Sequence, residues 1–154
     1  MSRVQQCRLT SANGCLASHL VEESEARLNI SVVFTSVKPT LSALREAGRL
    51  ASSLGGYITL LVPQVVPYPL ELERKKEWDT FNERRFRTVA GASSVSTTVR
   101  VYLCRDPEEA VLAALTPRSL VVIGGRKRWW PTLEKRLAGK LRRAGHEVIL
   151  AEGS

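Results

Sequence analysis

Basic side chains are concentrated in one segment of the sequence. Residues 126–143 contain eight Lys or Arg residues and one acidic residue, Glu134, in a chain whose formal net charge is +8. Two tryptophans, Trp129 and Trp130, lie inside the same segment. Guanidinium and ammonium groups bind phosphate oxygens, and indole rings stack on planar bases. The residue types in this segment therefore suit an anionic ligand.

Three interpretations of this basic segment are open from the sequence. In the first, Arg126, Lys127 and a helix N-terminus near Thr132 hold the phosphates of a nucleotide or polyphosphate. In the second, the segment binds single-stranded nucleic acid or an acidic protein partner. The candidate residues for that surface are Arg128, Trp129, Trp130, Lys135 and Arg136. In the third, the cations form the solvated face of a helix and one tryptophan packs over a sheet.

Residues that carry acid, base or nucleophilic chemistry are few and scattered. The two histidines, His19 and His146, are far apart, and no Ser/His/Asp or Cys/His arrangement is evident. Asp106, Glu108 and Glu109 form a cluster that fits a helix N-terminus, where acids cap and complement exposed N–H groups. We therefore expect no catalytic residues and no metal site.

The cysteines and the apolar runs bear on the compartment. The chain has three cysteines, an odd number, and no C-x-x-C pair, which argues against a disulfide framework or a zinc site. They are Cys7, Cys15 and Cys104. No apolar run approaches the roughly 20 residues of a membrane helix. The first 28 residues lack the apolar centre of a secretory signal, and three glutamates among residues 22–25 argue against an organelle-targeting peptide. A cytoplasmic protein without a membrane span is expected.

The remaining sequence alternates apolar runs with segments whose apolar residues recur every three or four positions. These patterns predict strands at 30–34, 57–62, 94–103, 120–123 and 148–150, and helices at 39–54, 71–89, 107–115 and 133–144. The apolar stripe of the first helix is expected to include Leu41, Leu44 and Leu54. Pro63 is expected to help end the second strand, because proline lacks the N–H that a strand ladder needs.

This alternation predicts an α/β fold in one domain. Strands that alternate with helices form a parallel sheet covered on both faces, a three-layer sandwich. We divide the chain into an N-terminal arm, residues 1–28, which is flexible or carries a short helix, and an α/β domain, residues 29–154. Ligands of such folds bind beyond the carboxyl ends of the strands, where strand order reverses. The loops at 35–40 and 124–132 are therefore expected to form the site.

Several of these segments together resemble a known family. Residues 33–44, Val-Phe-Thr-Ser-Val-Lys-Pro-Thr-Leu-Ser-Ala-Leu, are similar to the first strand, ligand loop and first helix of universal stress proteins. Residues 57–62, 120–124 and 141–150 are similar to that family's second strand, fourth strand, and last helix with its closing strand. The resemblance implies a Rossmann-like sheet of five parallel strands in the order 3-2-1-4-5, an ATP site, and dimers that pair through the last strand.

Several positions depart from the family's nucleotide-binding pattern. Thr35 stands where nucleotide-binding members have Asp, and Pro63 stands where they recognise adenine through backbone groups. Their phosphate loop has the pattern G-x2-G-x9-G-[ST], in which glycines let N–H groups approach phosphate. Counted from Gly124, Lys127 and Leu137 replace the later glycines. The resemblance therefore supports the fold and argues against ATP binding by the usual route.

The sequence thus predicts a non-enzymatic universal-stress-like protein that acts in a stress or regulatory role through dimerisation or partner binding. The homodimer contact is expected at residues 146–151, which begin with His146 and end with Ala151. A remodelled site for ATP, another adenine nucleotide or a phosphate ligand is the alternative. Its candidate residues are Thr35, Ser36, Gly124, Gly125, Arg126, Lys127 and Thr132.

Overall fold

A six-stranded sheet with helices on both faces forms the centre of the molecule. The computed structural model describes residues 5–9, 28–68, 79–91, 93, 95–125 and 132–152. Its strands are β1 (Gln5–Leu9), β2 (Asn29–Val33), β3 (Tyr57–Val65), β4 (Thr97–Cys104), β5 (Leu120–Gly125) and β6 (Glu147–Glu152). Its helices are α1 (Val37–Leu54), α2 (Asp79–Ala90), α3 (Pro107–Ala114) and α4 (Leu133–Arg143).

The sheet order is β1-β4-β3-β2-β5-β6, and the strands from β2 to β6 are all parallel. Counted from β2, the five parallel strands have the order 3-2-1-4-5, so the predicted fold class is confirmed. The chain leaves β2 toward β3 and β4, then returns to add β5 and β6 on the other side of β2. The strand order therefore reverses between β2 and β5.

A sixth strand, β1, lies within the predicted N-terminal arm and was not predicted. It pairs antiparallel with β4, in a register that places Cys7 opposite Val101. Its sequence, Gln-Gln-Cys-Arg-Leu, has only two apolar residues, Cys7 and Leu9, and an alternation this short is too weak to predict a strand. The short helix predicted within the arm lies outside the described residues.

Two hydrophobic clusters, one on each face of the sheet, make the fold a three-layer sandwich. The first contains buried residues of α1 and α2, with Leu44 and Phe86 among them, and the second contains buried residues of α3 and α4, with Val111 and Leu141 among them. The buried residues of α1 include four small ones, namely Ala43, Ala47, Gly48 and Ala51. Small side chains let the helix lie close to the strands. Leu54, which the predicted stripe included, is instead 58% exposed.

Pro63 lies inside β3, so the prediction that it helps to end this strand was wrong. Leu61 accepts from the N–H of Phe34, and Ile58 donates to the carbonyl of Ser96. Backbone groups of odd-numbered residues in β3 therefore point toward β2, and those of even-numbered residues point toward β4. Pro63 lacks an N–H only on the side of β2, which has already ended, so the ladder with β4 continues to Val65.

The later helices begin at side-chain caps. Asp106 accepts from the N–H groups of Glu108 and Glu109 at 2.8 and 3.3 Å, as the sequence predicted for the start of α3. Thr132 accepts from the N–H of Lys135 at 3.4 Å at the start of α4. Helix α2 is described from Asp79 onward, and the predicted helical residues before it lie outside the described part. Within the described residues, no helix combines the length and apolar character of a membrane span.

Candidate functional site

The reversal of strand order brings two predicted loops together at the carboxyl ends of β2 and β5. Val33, the last residue of β2, lies opposite Ile123, and β5 ends two residues later at Gly125, so these two strands end close together along the sheet. Thr35 and Ser36 follow β2 directly, whereas Gly124 and Gly125 end β5. The structure therefore places these four predicted site residues side by side. Arg126 and Lys127, with Arg128, Trp129 and Trp130, lie outside the described residues.

Thr35 presents a hydroxyl, not a carboxylate, at the end of β2. Its N–H donates to Oγ1 of Thr40 at 3.3 Å, and Thr40 is fully buried. Oγ1 of Thr35 is itself buried and has no hydrogen-bond partner among the described residues. A buried hydroxyl without a partner costs free energy, so this atom is suited to a hydrogen bond from a ligand or water.

The first turn of α1 offers few backbone donors to an anion. Ser36 is the N-cap in extended conformation, and its side chain makes no capping bond. Its carbonyl accepts from the N–H of Thr40, and Pro39 has no N–H. Val37 and Lys38 supply the other N–H groups of this turn, which have no carbonyl acceptor within the helix.

Gly124, a predicted phosphate-site residue, has a packing role. A Cβ placed on this residue would lie 1.7 Å from the carbonyl oxygen of Pro39 and 2.2 Å from its carbonyl carbon. The backbone of α1 therefore rests directly against β5 at Gly124. A Cβ on the neighbouring Gly125 would meet nothing within 4 Å. The glycine at position 124 needs no phosphate ligand to explain it.

Three basic residues of α4 have acceptors within the protein. Lys140 forms an ion pair with Glu108, and Nη2 of Arg136 lies 3.9 Å from the same carboxylate. Glu108 is a buried residue of α3, so this network joins the two helices on one face of the sheet. Nη2 of Arg142 donates to the carbonyl of Val148 at 3.1 Å. The interpretation of the basic segment as a wholly solvated helix face is therefore incomplete.

His146 lies at the opposite end of the sheet from the reversal point, directly before β6. Its Nδ1 accepts from the N–H of Ser119 at 3.2 Å, which ties the turn before β5 to the start of β6. Within the described residues, no group of three His, Cys, Asp or Glu side chains has the arrangement of a metal site. His146 thus has a structural contact, and His19 lies outside the described residues.

Sequence reasoning missed one contact at the carboxyl edge. The guanidinium of Arg105 lies 3.9 Å from the ring centroid of Tyr68, and its Nη1 donates to the carbonyl of Val66. Tyr68 follows β3 and Arg105 follows β4, so the pair forms because these parallel strands end together. The ring of Tyr68 remains 81% exposed. The two residues are far apart in the sequence. Only the pairing of β3 with β4 predicts that the residues following these strands lie close together.

The thiol of Cys104 is expected to be unreactive in the folded protein. It ends β4 as a buried free cysteine, and burial, together with the charge of Asp106, raises its pKa from 9.0 to about 11. The folded state therefore holds the proton more tightly than the unfolded state. Its contribution to stability is complete below about pH 9 and declines as the pH rises through about 11.

Alkylation by iodoacetamide would test this prediction in a chain whose Cys7 and Cys15 are replaced by serine. Native Cys104 should react slowly at about pH 8, where the unfolded chain reacts fast. The stability advantage over Cys104→Ala should also shrink between about pH 8 and about pH 10.5 in urea unfolding. Fast alkylation of the native protein at about pH 8 would contradict the burial of this thiol.

Comparison with known proteins bears on the fold. No protein-family model and no curated protein matches the chain. A crystal structure of a universal stress protein in complex with cAMP matches with a TM-score of 0.54 at 15% identity, over 84% of this chain and 99% of that one. This chain has the universal stress protein fold. The predicted resemblance is thereby confirmed for the architecture.

Within this universal stress protein fold, the candidate site has a specific chemical character. The reversal point offers the hydroxyl of Thr35, few free N–H groups on α1 and no carboxylate at the end of β2. Pro63 also removes a donor on the side of β3 that faces the end of β2. At α4, the hydroxyl of Thr132 caps its own helix. In the loop at 35–40 the described part of the site therefore has a buried hydroxyl without a partner, on Thr35, and one charged side chain, the exposed Lys38.

Proposed function

We propose that this chain is a non-enzymatic universal-stress-like protein that acts in a stress or regulatory role by forming homodimers through β6. The observation that carries the proposal is the open edge of the sheet. At one edge of the parallel strands β1 pairs with β4, whereas at the opposite edge no described strand lies beyond β6. An uncovered edge strand presents backbone donors and acceptors that can pair with another strand.

The backbone of β6 defines which groups are available. Glu147 donates its N–H to Ser119 next to β5, so it faces the sheet, and alternate residues share that direction. The residues whose N–H and C=O groups point away from β5 are Val148, Leu150 and Glu152. Ile149 and Leu150 are half-buried apolar residues on this edge, and pairing would bury them further.

The site geometry supports the non-enzymatic part of the proposal. A general base must lie within hydrogen-bond reach of the group it serves, and His146 is at the far end of the sheet with Nδ1 occupied by Ser119. Thr35 supplies no carboxylate at the reversal point. Neither arrangement provides the paired acid and base that hydrolysis requires.

Sedimentation velocity over a wide concentration range would test the dimer. A concentration-dependent monomer–dimer equilibrium is expected. Leu150→Pro removes an N–H that faces the open edge without breaking the ladder to β5, so it should abolish the dimer, whereas Leu150→Ala keeps that N–H and should retain it. Far-UV circular dichroism would verify folding, and Glu152→Pro would replace Leu150→Pro if that variant unfolds. A strict monomer at high concentration would overturn the proposal.

A second candidate function is the binding of a nucleotide or another phosphate ligand at the reversal point. The buried, unpaired hydroxyl of Thr35 favours it, since a ligand could complete that hydrogen bond. The crystal structure that shares this fold holds cAMP, which makes cyclic nucleotides a rational first probe. Residues 126–131, which follow β5 in the sequence and lie outside the described residues, include three cations of the kind that bind phosphate.

Calorimetry with cAMP, ATP, AMP and a short single-stranded DNA at low salt would test this second function. Binding of a nucleotide should weaken about fivefold or more in Thr35→Val, which keeps the side-chain shape and removes the hydroxyl. Heat with DNA alone would instead support the nucleic-acid surface predicted from Arg128, Trp129, Trp130, Lys135 and Arg136. No heat with any of the four ligands would exclude both.

A further inference from the structure

Arg142 caps the open edge of β6. Its Nη2 donates to the carbonyl of Val148, which points away from β5. Helix α4 packs on the face of the sheet that carries the side chains of Val148 and Leu150. Arg142 therefore places a positive charge beside the carbonyl of Val148, on the face of the sheet that α4 covers.

The directions of the backbone groups favour one register for antiparallel pairing of two β6 strands. A two-fold axis at Leu150 places Leu150 opposite itself and Val148 opposite Glu152 of a second copy. All three outward-facing residues then pair, which gives about six backbone hydrogen bonds, against about four when the axis lies at Ile149 or Ala151. The same register also brings two half-buried leucine side chains together.

We propose that Arg142 forms an intersubunit ion pair with Glu152 of a second copy in this register. The inference rests on the proposed dimer through β6. Residues that are directly opposite in an antiparallel pair lie on the same face with Cα atoms about 5.5 Å apart, so Glu152 of the second copy stands beside Val148. Arg142 already contacts the carbonyl of Val148 and is exposed.

Pairing would exchange one acceptor of Arg142 for a stronger one. The N–H of Glu152 from the second copy takes the carbonyl of Val148, and the Glu152 carboxylate accepts from the guanidinium. A charge-assisted bond of this kind is stronger than the neutral one that it replaces. The two-fold axis makes the ion pair twice, so one substitution removes two contacts. In the single copy, Arg142 satisfies the edge carbonyl and reduces unspecific strand pairing.

Charge reversal would test the ion pair. Arg142→Glu and Glu152→Arg should each raise the dimer dissociation constant about tenfold or more, and the double variant should return to within about threefold of the natural chain. Arg143→Glu makes the same change of charge on a guanidinium that lies by Gly139 of its own helix, and it should have little effect. Salt should weaken the natural dimer and not the Arg142→Ala dimer.

Disulfide trapping would test the register in a chain whose Cys7, Cys15 and Cys104 are replaced. Leu150→Cys should form a crosslinked dimer on mild oxidation, because a Cα separation near 5.5 Å is within disulfide range. Ile149→Cys and Ala151→Cys should not. Crosslinking through either of these two cysteines, or a dimer dissociation constant that charge reversal at Arg142 does not change, would overturn this inference. Either result would leave the proposed dimer itself intact. Monomers for every variant and for the natural chain overturn the proposed dimer itself.

Discussion

Gly124→Ala is expected to destabilise the protein by about 3 kcal/mol or more, or to prevent folding. The added Cβ would lie 1.7, 2.2 and 2.8 Å from three backbone atoms of Pro39. Contacts of this kind cannot be relieved by a side-chain rotation, so the first turn of α1 must move away from β5. Overpacking in well-packed regions typically costs about 1–3 kcal/mol, and this overlap involves backbone on both sides.

Urea and thermal unfolding would measure this effect, with Gly125→Ala as the matched control. The neighbouring glycine has no atom within 4 Å of its added Cβ, so its replacement should change the free energy of unfolding by less than about 0.5 kcal/mol. A domain of this size should lose about 2–4 °C in Tm per kcal/mol. Equal stability of the two variants would show that α1 does not rest on Gly124.

Lys140→Met is expected to cost about 2–3 kcal/mol of stability. The side chain of Glu108 is only 10% exposed, and the variant leaves its carboxylate with Arg136 at 3.9 Å as the remaining cation. Breaking a fully buried pair costs about 3–5 kcal/mol. The expected loss is smaller here, since the Lys140 side chain is 44% exposed and Arg136 remains.

A double-mutant cycle separates this ion pair from simple packing. Glu108→Met alone should cost less than Lys140→Met, because the half-exposed Lys140 can turn into water. The double variant should recover most of the loss, since two apolar side chains of similar size can replace a buried pair. Glu109→Gln, an exposed acid in the same turn, is the control and should be nearly neutral. Additive effects of the two single variants would argue against a direct pair.

Several residues that the sequence related to a ligand site have structural roles in this chain. Gly124 makes room for Pro39, and the hydroxyl of Thr132, a predicted phosphate-site residue, caps α4. Pro63 sits within β3 instead of ending it, and the donor it lacks faces the reversal point. Packing explains Gly124 and helix capping explains Thr132 without a ligand.

Local sequence was sufficient for most of the architecture. Apolar runs and periodic stripes gave the five parallel strands and the positions of the helices, because the period of buried side chains differs between strands and helices. The residue types of Asp106, Glu108 and Glu109 predicted the start of α3. The order of the five strands and the placement of the loops at 35–40 and 124–132 came from the family resemblance and the rules for parallel sheets.

Only the tertiary structure decided the features that depend on residues distant in sequence. Pairing of β1 with β4 could not be predicted from a five-residue segment with two apolar residues, since the partner strand supplies its stabilisation. The ion pair of Glu108 with Lys140, the stacking of Arg105 on Tyr68 and the contact of Arg142 with Val148 each need two elements to meet. The sequence shows only which residues are acidic or basic. Their roles depend on how deeply each is buried and on which partner the fold places next to it.

The candidate residues divide in the same way. Their types suggested anion binding from the sequence, because cations and glycines suit phosphate. The close contact of Gly124 with Pro39 comes from packing of α1 on β5, and the acceptors of Lys140 and Arg142 come from the contacts of α4 with α3 and β6. The unpaired hydroxyl of Thr35 is likewise a result of burial in the fold. The sequence thus determined which chemical groups the chain carries. The packing of helices and strands decided which of those groups already have a partner within the protein, because those partners come from distant parts of the sequence.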